Sequence, residues 1–371
     1  MRFDGFTSQL QQSSFGKVAE YKKGPFGSAL KKEIFVPKGN GSVKIYEQQN
    51  AINKDWRLER YFVTKDYAYK LKGFEVKGGD ILVSCAGTVG ELYTLPTEAE
   101  TGLINQALMR IRVHDDVNQI WFCYAFNNMI KQFSNKYSNG SAIKNIPPFA
   151  DLKSCCLMLP SFSEQKKIVD FLSKIDLRIE TQNKIIDNLK SQIKSISSRV
   201  YKLFSKISKL SELISFEKKT NHKSEEGLKE GRYPFYTNEE NQNKFFNSYD
   251  FDGLFILSNT GGRANFKIVN GKFAVMSDTL VIKFKNPFLA RTYINFLQNN
   301  TEKISHDIFA GSGLKHLDKN AFLNMNVPLV DKNLSIINKL FETLDNKLIN
   351  EKKYLSLLIM QKQYLLNNLF I

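Results

Sequence analysis

The sequence predicts an α+β protein: two similar mixed α/β domains, separated by two long helices that pair as an antiparallel coiled coil about a pseudo-twofold axis. Three observations support this fold class: two nearly identical pentapeptides, a repeated order of strand-like segments, and two long heptad patterns. With 371 residues, the chain is long enough for two domains that each bury a core of their own.

The repeat is the first of these observations. GSAIK at residues 140–144 is nearly the same as GSGLK at residues 311–315, although Gly, Ser and Lys are too common for this pair to decide anything alone. Similar segments precede both copies in the same order, namely ILVS (81–84) with NQALMRI (105–111), and FILS (255–258) with SDTLVIK (277–283). Several matches in one order indicate an internal duplication, so we interpret the chain as two copies of one domain.

Each copy is predicted to contain two strands and an amphipathic helix. VKGGDILVSCAG and FDGLFILSNTGG each indicate a turn, a short apolar strand and a glycine-bearing loop. LINQALMRIRV and VMSDTLVIKF each predict a second strand, while IWFCYAFNNMIKQF and ARTYINFLQNN predict helices. The two Gly-Ser pentapeptides then follow the helices as loops, where small residues would allow close approach of a partner, although turn formation explains them equally well.

A long helix is predicted after each copy. Apolar residues alternate at spacings of three and four, at positions 168, 172, 175, 179, 186, 189, 193, 196, 200 and 203. Gln182 is the one off-type residue of this seam, and Ser161 with Glu164 matches a capping box. After Pro328 the pattern recurs at 337, 341, 344, 348, 355 and 358, with Glu351 in the place of Gln182. The seam is too narrow and too long for a helix packed only on its own domain, and it indicates a coiled coil.

Composition limits the class of protein and its partners. The net charge of +16 favours a polyanionic partner such as nucleic acid, although a general solubility bias would give the same sign. The four cysteines form no C-x-x-C pair and the four histidines are scattered, so no metal site and no disulfide framework are expected. We expect a cytoplasmic protein without a membrane span, because the sequence shows neither a signal-peptide core nor a long apolar run.

Several motifs together resemble the specificity subunit of type I restriction-modification systems. They are the duplicated domain, the helix start Leu159-Pro160-Ser161 with Glu164-Gln165 and Ile168, the midpoint Ile175-Asp176, and the helix ends Leu203-Phe204 and Leu369-Phe370. KKGPFGSAL (22–30), GGDILVSCAGTVGELY (78–93) and INQALMRI (104–111) look like parts of that family's target recognition domains. One departure is that the second helix begins at Asp331-Lys332-Asn333-Leu334 without Glu-Gln.

The resemblance implies a division of the chain and a set of partners. Target recognition domains are expected at 1–160 and 205–330, and spacer helices at 161–204 and 331–371. Each domain would bind one half of a split sequence in double-stranded DNA. The helices would set the spacing and bind methyltransferase subunits, two by the pseudo-twofold symmetry, and restriction subunits would join through that complex.

Loop residues supply the candidate DNA contacts. Candidates for phosphate contacts are Lys22, Lys23, Lys31, Lys32, Lys144, Arg263 and Lys315. Candidates for base contacts are Gln48, Gln49, Asn50, Asn238, Asn259 and again Arg263. Further candidates in these loops are Ser28, Thr88, Ser141, Tyr236 and Ser312.

The sequence argues against catalysis and leaves two other functions open. Asn145-Ile146-Pro147-Pro148-Phe149 is similar to the catalytic loop of adenine methyltransferases, but Ile146 interrupts it and no glycine-rich cofactor loop is present, so a rigid linker fits better. No phosphate-binding loop occurs either, and we expect neither catalysis nor a cofactor. The alternatives to a specificity subunit are a free-standing bipartite DNA-binding regulator and a structural coiled-coil adaptor.

Overall fold

The structure is a computed structural model that describes residues 3, 5, 6, 9–137, 148–239, 242–311, 313 and 315–370, with the backbone alone for 134–137. It forms two compact units. Unit 1 comprises Met1–Ile179 with Leu357–Ile371, and unit 2 comprises Glu180–Ser356. Because each unit contains part of both long helices, the predicted four-part division of the chain stays a prediction.

The globular part of unit 1, called head 1 here, spans residues 11–159. Its strands are β1 (Gln11–Ser14), β2 (Ala19–Lys23), β3 (Ser42–Tyr46), β4 (Tyr61–Thr64), β5 (Glu75–Val76), β6 (Ile81–Ser84), β7 (Leu92–Thr94), β8 (Gly102–Ile104), β9 (Leu108–Val113) and β10 (Cys156–Leu159). Its helices are α1 (Phe15–Val18), α2 (Gln48–Ile52), α3 (Lys65–Lys70), α4 (Gln119–Tyr137) and α5 (Phe149–Ser154). The strands form two four-stranded sheets, β2-β9-β6-β7 and β4-β3-β8-β5, and the pair β1-β10.

Strand β6 explains why head 1 has more than one core. Successive side chains of a strand point to opposite faces. Ile81 and Val83 therefore pack in the main cluster with Trp121 of α4, while Leu82 packs in a second cluster with Tyr46. All four residues of β6 are buried, so this strand lies at the centre of head 1.

Helix α6 (Phe162–Lys202) leads from head 1 to head 2, which spans residues 207–328. The strands of head 2 are β11 (Ile207–Lys209), β12 (Ile214–Phe216), β13 (Tyr233–Tyr236), β14 (Phe245–Phe246), β15 (Phe251–Asn259), β16 (Phe266–Val275), β17 (Thr279–Phe284), β18 (Phe309–Ala310), β19 (His316–Leu317) and β20 (Asn326–Pro328). Its helices are α7 (Leu210–Leu213), α8 (Pro287–Asn299), α9 (Thr301–Asp307) and α10 (Lys319–Leu323), and α11 (Leu334–Leu369) follows. Six strands form one sheet in the order β12-β17-β15-β16-β13-β14.

The strand pairing confirms the predicted duplication. The order β2-β9-β6-β7 in head 1 corresponds to β12-β17-β15-β16 in head 2. Each head also contains one parallel pair, β3 with β8 in the second sheet of head 1 and β13 with β16 in the sheet of head 2. In each head, the first strand also pairs with the last, as β1-β10 in head 1 and β11-β20 in head 2.

The prediction of one continuous second strand in each copy was wrong in one respect, because in the structure each of these segments belongs to two strands. LINQALMRIRV forms β8 and β9, separated by a turn in which Asn105 Oδ1 accepts a hydrogen bond from the backbone N of Ala107 at 3.0 Å. VMSDTLVIKF is divided at the corresponding place, between β16 and β17. Asn and Asp favour such turns because their side chains hydrogen-bond to the nearby backbone.

The two long helices confirm the heptad prediction. Ser161 Oγ accepts from the backbone N of Glu164 at 3.3 Å, as a helix-capping residue does. In unit 2 the helices run antiparallel, since Gln182 of α6 contacts Glu351 of α11 while Tyr201, later in α6, stacks on Phe341, earlier in α11. The side-chain amide of Gln182 donates to the Glu351 carboxylate at 2.5 Å, so the two off-type residues of the seam partner each other. Within the described residues, no helix is both long and apolar enough to cross a bilayer.

Candidate DNA interface

The loops of head 1 that carry the predicted contacts follow strands ending at one edge. β3 and β8 are parallel, so their carboxyl ends meet there, and the backbone N of Asn105 donates to Tyr46 O at 3.0 Å. Lys23, the last residue of β2, pairs with Met109 at the start of β9. Ser84, the last residue of β6, pairs with Leu108 in the same region. We call this place the loop edge of head 1.

Most of the predicted contact residues of head 1 are accessible. Those exposed to solvent are Lys23, Ser28, Lys31, Lys32, Gln49 and Thr88. Lys22 is half-buried, and its ammonium lies 4.7 Å from the centre of the Phe74 ring. Gln48 is also half-buried, and its Oε1 atom has no hydrogen-bond partner among the described residues. An orphan acceptor of this kind is a site for a water molecule or a donor from a ligand.

Asn50 has a different role from the one predicted. Its side chain is only 2% exposed. The Oδ1 atom accepts from the backbone N of Glu47 at 2.8 Å, and Nδ2 donates to the carbonyl oxygens of Asp55 at 3.0 Å and Leu58 at 2.9 Å. Both amide hydrogens are therefore used inside the protein, so Asn50 supports the following loop and is not available to a base.

Head 2 has a corresponding loop edge. The backbone N of Met276 donates to Tyr236 O at 3.0 Å, the counterpart of the Asn105–Tyr46 bond in head 1. Tyr236, Asn238 and Asn259 line one polar cavity at this edge, together with Thr279, whose hydroxyl has no partner among the described residues. Three predicted residues from two separate segments of the sequence are thus brought together.

Arg263 and Lys315 also lie on neighbouring loops of head 2. The backbone N of Gly262 donates to Lys315 O at 2.8 Å, and both Arg263 and Lys315 are exposed. Asn259 supports this loop, since its Nδ2 donates to the carbonyl oxygens of Gly261 at 2.6 Å and of Arg263. Both amide hydrogens of Asn259 are therefore used inside the protein, but its Oδ1 atom has no hydrogen-bond partner among the described residues, so its predicted contact with a base stays a prediction.

Three predicted residues, Ser141, Lys144 and Ser312, lie outside the described residues, so both Gly-Ser pentapeptides remain untested as contact loops. In contrast, the structure adds residues that the sequence analysis missed. Phe26 is 89% exposed in the loop after β2, and Arg57 and Arg60 are exposed in the loop before β4. A sequence signal for the two arginines was present, since each directly adjoins an aromatic residue, Trp56 or Tyr61.

The charge of Lys23 acts on the interior of the loop edge. Burial raises the pKa of the Cys85 thiol to about 12, and the nearby Lys23 ammonium opposes this shift. The thiol is therefore protonated at neutral pH and behaves as a small apolar group. Lys23 itself is exposed, so its positive charge is also accessible to a ligand at the edge.

Comparison with known proteins assigns the family. Residues 9–191 and 205–362 match the sequence profile of the type I restriction modification DNA specificity domain, and the chain therefore belongs to that family. Among solved structures, the S subunit of a type I restriction-modification system from M. genitalium is 20% identical, with a TM-score of 0.55 over 100% of this chain and 97% of the other. A chain of a type I R-M system, solved to explain complex assembly and conformational transition, is 10% identical, with a TM-score of 0.59 over 98% and 97%. At these identities the two structures show a shared fold alone. No curated protein matches the sequence.

Proposed function

We propose that the chain is the DNA sequence-specificity subunit of a type I restriction-modification complex, in which each head binds one half of a bipartite target. The observation that carries this proposal is the repeated loop edge: the same strand arrangement occurs twice, each time with exposed basic and polar side chains where the strands end. The membership of the chain in the DNA specificity family supports it.

The net charge of +16 fits a duplex DNA partner. Lysine contacts to phosphate release counterions, so the affinity would fall steeply as salt rises. These contacts position the protein without reading sequence, while polar side chains at the loop edges would contact the bases.

The paired helices are proposed to set the distance between the half-sites. Helix α6 has 41 residues, which corresponds to about 60 Å at 1.5 Å per residue. Since one turn of B-DNA is about 34–36 Å, the half-site centres would lie between one and two turns apart. One heptad added to both α6 and α11 would preserve the pairing and add about 10 Å, or about three base pairs, to the spacer. A spacer that stays unchanged in methylation maps of such a variant would mean that the helices do not set it.

The exposed faces of the same helices are proposed to bind methyltransferase subunits, two by symmetry, with restriction subunits joining through that complex in the cytoplasm. In the unit 1 part of α11, Leu357, Met360 and Tyr364 are 50%, 63% and 61% exposed and share one helix face. Exposed apolar groups in a continuous stripe favour a protein partner. The chain would supply recognition, and its partners would supply all the chemistry.

Methylation mapping of host DNA, with and without this gene, tests the proposal. We expect one bipartite adenine-methylated motif to disappear when the gene is deleted and to return when the gene is restored. The purified chain alone should transfer no labelled methyl groups to DNA. A motif that persists after deletion would contradict the proposal.

A further inference from the structure

The loop between α2 and β4 of head 1, residues 53–60, is held rigidly by buried polar side chains. Asn50 binds two of its carbonyl oxygens, those of Asp55 and Leu58. Lys44 is 1% exposed and donates to the carbonyl oxygen between them, that of Trp56. Burying a lysine and an amide is costly unless their hydrogen bonds are satisfied, and here these bonds fix the path of the loop.

Lys54 fixes the start of this loop as well. Its φ of 53° lies in the left-handed region, which a non-glycine residue rarely adopts. Its ammonium donates to the Glu91 carboxylate at 2.8 Å and to Leu92 O at 2.6 Å, which joins the loop to β7. The backbone of the loop is thereby tied to the sheet at several points along its length.

Two arginines project from this fixed loop. The guanidinium of Arg57 lies 5.2 Å from the centre of the Trp56 ring, and that of Arg60 lies 4.8 Å from the centre of the Tyr61 ring. Both arginines are exposed, and neither guanidinium has a hydrogen bond or ion pair with any residue that the structure describes. An aromatic face restricts where a guanidinium can lie while leaving its N–H donors free.

The acidic residues of the loop are already occupied elsewhere. Glu59 is paired with Lys38 at 2.8 Å. Asp55 accepts from the backbone N of Arg57 at 2.9 Å, so it binds the main chain of that residue. The charge of Arg60 also acts on Glu47, but without a hydrogen bond or ion pair between the two, so the N–H donors of both guanidinium groups stay free for an external acceptor.

The position of the loop places these groups at the loop edge of head 1. Helix α2 starts two residues after the end of β3, and Tyr61, the first residue of β4, pairs with Ile45 near that end. The loop between them must then lie beside Gln48 and Gln49. Arg57 and Arg60 are thus located where the proposed function places the DNA.

We infer that Arg57 and Arg60 contact guanines in the half-site of head 1, and that they are specificity-determining residues. This inference rests on the proposed function of the chain. The planar donor fork of arginine matches the O6 and N7 acceptors of guanine in the major groove, and lysine does not reproduce this fork although it can bind the same atoms. A fork held on a rigid loop loses little entropy on binding, which suits base reading better than phosphate binding, where a flexible lysine serves as well.

The test is selection from a pool of random-sequence DNA duplexes by the full chain and its variants. Arg57→Lys and Arg60→Lys keep the charge and remove the fork. Each should weaken the preference for a guanine at its own position by about 10- to 100-fold. Both positions should fall in the same half of the motif, while the salt dependence of binding stays the same. Arg232→Lys is the matched control for the half-site of head 1, because Arg232 is an exposed arginine of head 2 that lies over no aromatic ring of the described residues.

The outcomes separate the inference from the function on which it rests. A wild-type protein that selects a bipartite motif, with lysine variants that select the same motif, would overturn the inference and leave the proposed function standing. Changes that fall in opposite halves would also overturn it. If the wild-type chain selects no sequence, the proposed function fails and the inference fails with it. Melting curves for all variants exclude loss of folding, which is not expected at exposed side chains.

Discussion

Head 1 and head 2 share a framework and differ in what they attach to it. In head 1, the segment after β6 forms two separate strands, β7 and β8, which belong to two sheets. In head 2, one continuous strand, β16, pairs with β15 along its first part and with β13 at its end, so a single six-stranded sheet results. The strands therefore pair with corresponding partners in both heads, although head 1 divides them between two sheets and head 2 keeps them in one.

This comparison shows which parts of the fold both copies share. The central strands, the helix behind them and the short pairs at either end recur in both heads. The loops at the loop edge do not recur, since head 1 carries the arginine loop at 53–60 and head 2 has an exposed arginine, Arg263, in the loop after β15. Variable loops on a constant scaffold are typical of a binding protein whose two sites recognise different ligands.

The largest expected effect comes from Gly24, where head 1 packs its first loop most tightly. A Cβ atom at this position would lie 1.8 Å from Asn105 O, which is backbone and cannot move aside alone. Gly24→Ala should destabilise head 1 by roughly 1–3 kcal/mol and displace the following loop. The corresponding segment of head 2, Lys218-Lys219-Thr220, has no glycine.

Calorimetric melting checks this prediction, with Gly27→Ala as the control because a Cβ there meets nothing within 4 Å. The half-site of head 1 should weaken with Gly24→Ala while that of head 2 persists. Equal melting temperatures for the two variants would show that the loop is less tightly packed than the structure indicates.

A second difference concerns Asp176 and Asp345, which occupy matching positions in the two long helices. Asp176 accepts from the Tyr124 hydroxyl at 2.6 Å and from the Lys362 ammonium. Asp345 has no side-chain hydrogen bond to any described residue, and burial raises its pKa, an effect that the Arg291 charge partly offsets. Asp176→Asn should therefore cost about 1–2 kcal/mol, whereas Asp345→Asn should cost nothing at pH 7 and slightly raise the melting temperature.

The pH dependence of the stability of Asp345→Asn follows from the direction of the pKa shift of Asp345. The pKa of Asp345 is raised in the folded state. Its favourable contribution to the free energy of unfolding is therefore fully present below the unfolded-state pKa of about 3.9, and it is lost as the pH rises through the folded-state pKa. The advantage of Asp345→Asn over the wild type should grow from about pH 4 to pH 7. A constant difference across this range would contradict the assigned cause.

The smallest expected effects are those of single lysines on the salt dependence of DNA binding. Lys31→Gln and Lys32→Gln in head 1, and Lys315→Gln in head 2, should each reduce the slope of log affinity against log salt by about 1 if the lysine contacts phosphate. Lys184→Gln is a suitable control because Lys184 lies on α6 and already pairs with Glu180 at 2.6 Å. Filter binding or anisotropy at several salt concentrations gives these slopes, and a lysine whose removal leaves the slope unchanged contacts no phosphate.

The architecture could be predicted well from the sequence because local patterns of residue types along the chain determine it. The heptad seam, including its two off-type residues Gln182 and Glu351, needs only the spacing of residue types along one helix. The division of β8 from β9 was missed, since the turn depends on Asn105 and on pairing with different neighbours.

The candidate site was harder to predict, since the role of a polar residue depends on the direction of its side chain. Asn50 and Gln49 are adjacent and chemically alike, yet one is buried as a support and the other is exposed. Lys44 lies within a strand, and nothing local indicates that it would be buried beneath the arginine loop. Such differences arise from tertiary contacts, which single-sequence patterns do not contain.

An exchange of heads tests the central claim most directly, namely that each head binds its own half of the target. Residues 1–158 would be replaced by the matching region of a family member with a different target, and the DNA methylated in cells carrying the chimaera would be mapped. The account predicts that one half of the motif changes to that of the donor while the other half stays the same. A motif in which both halves change together, or neither does, would contradict it.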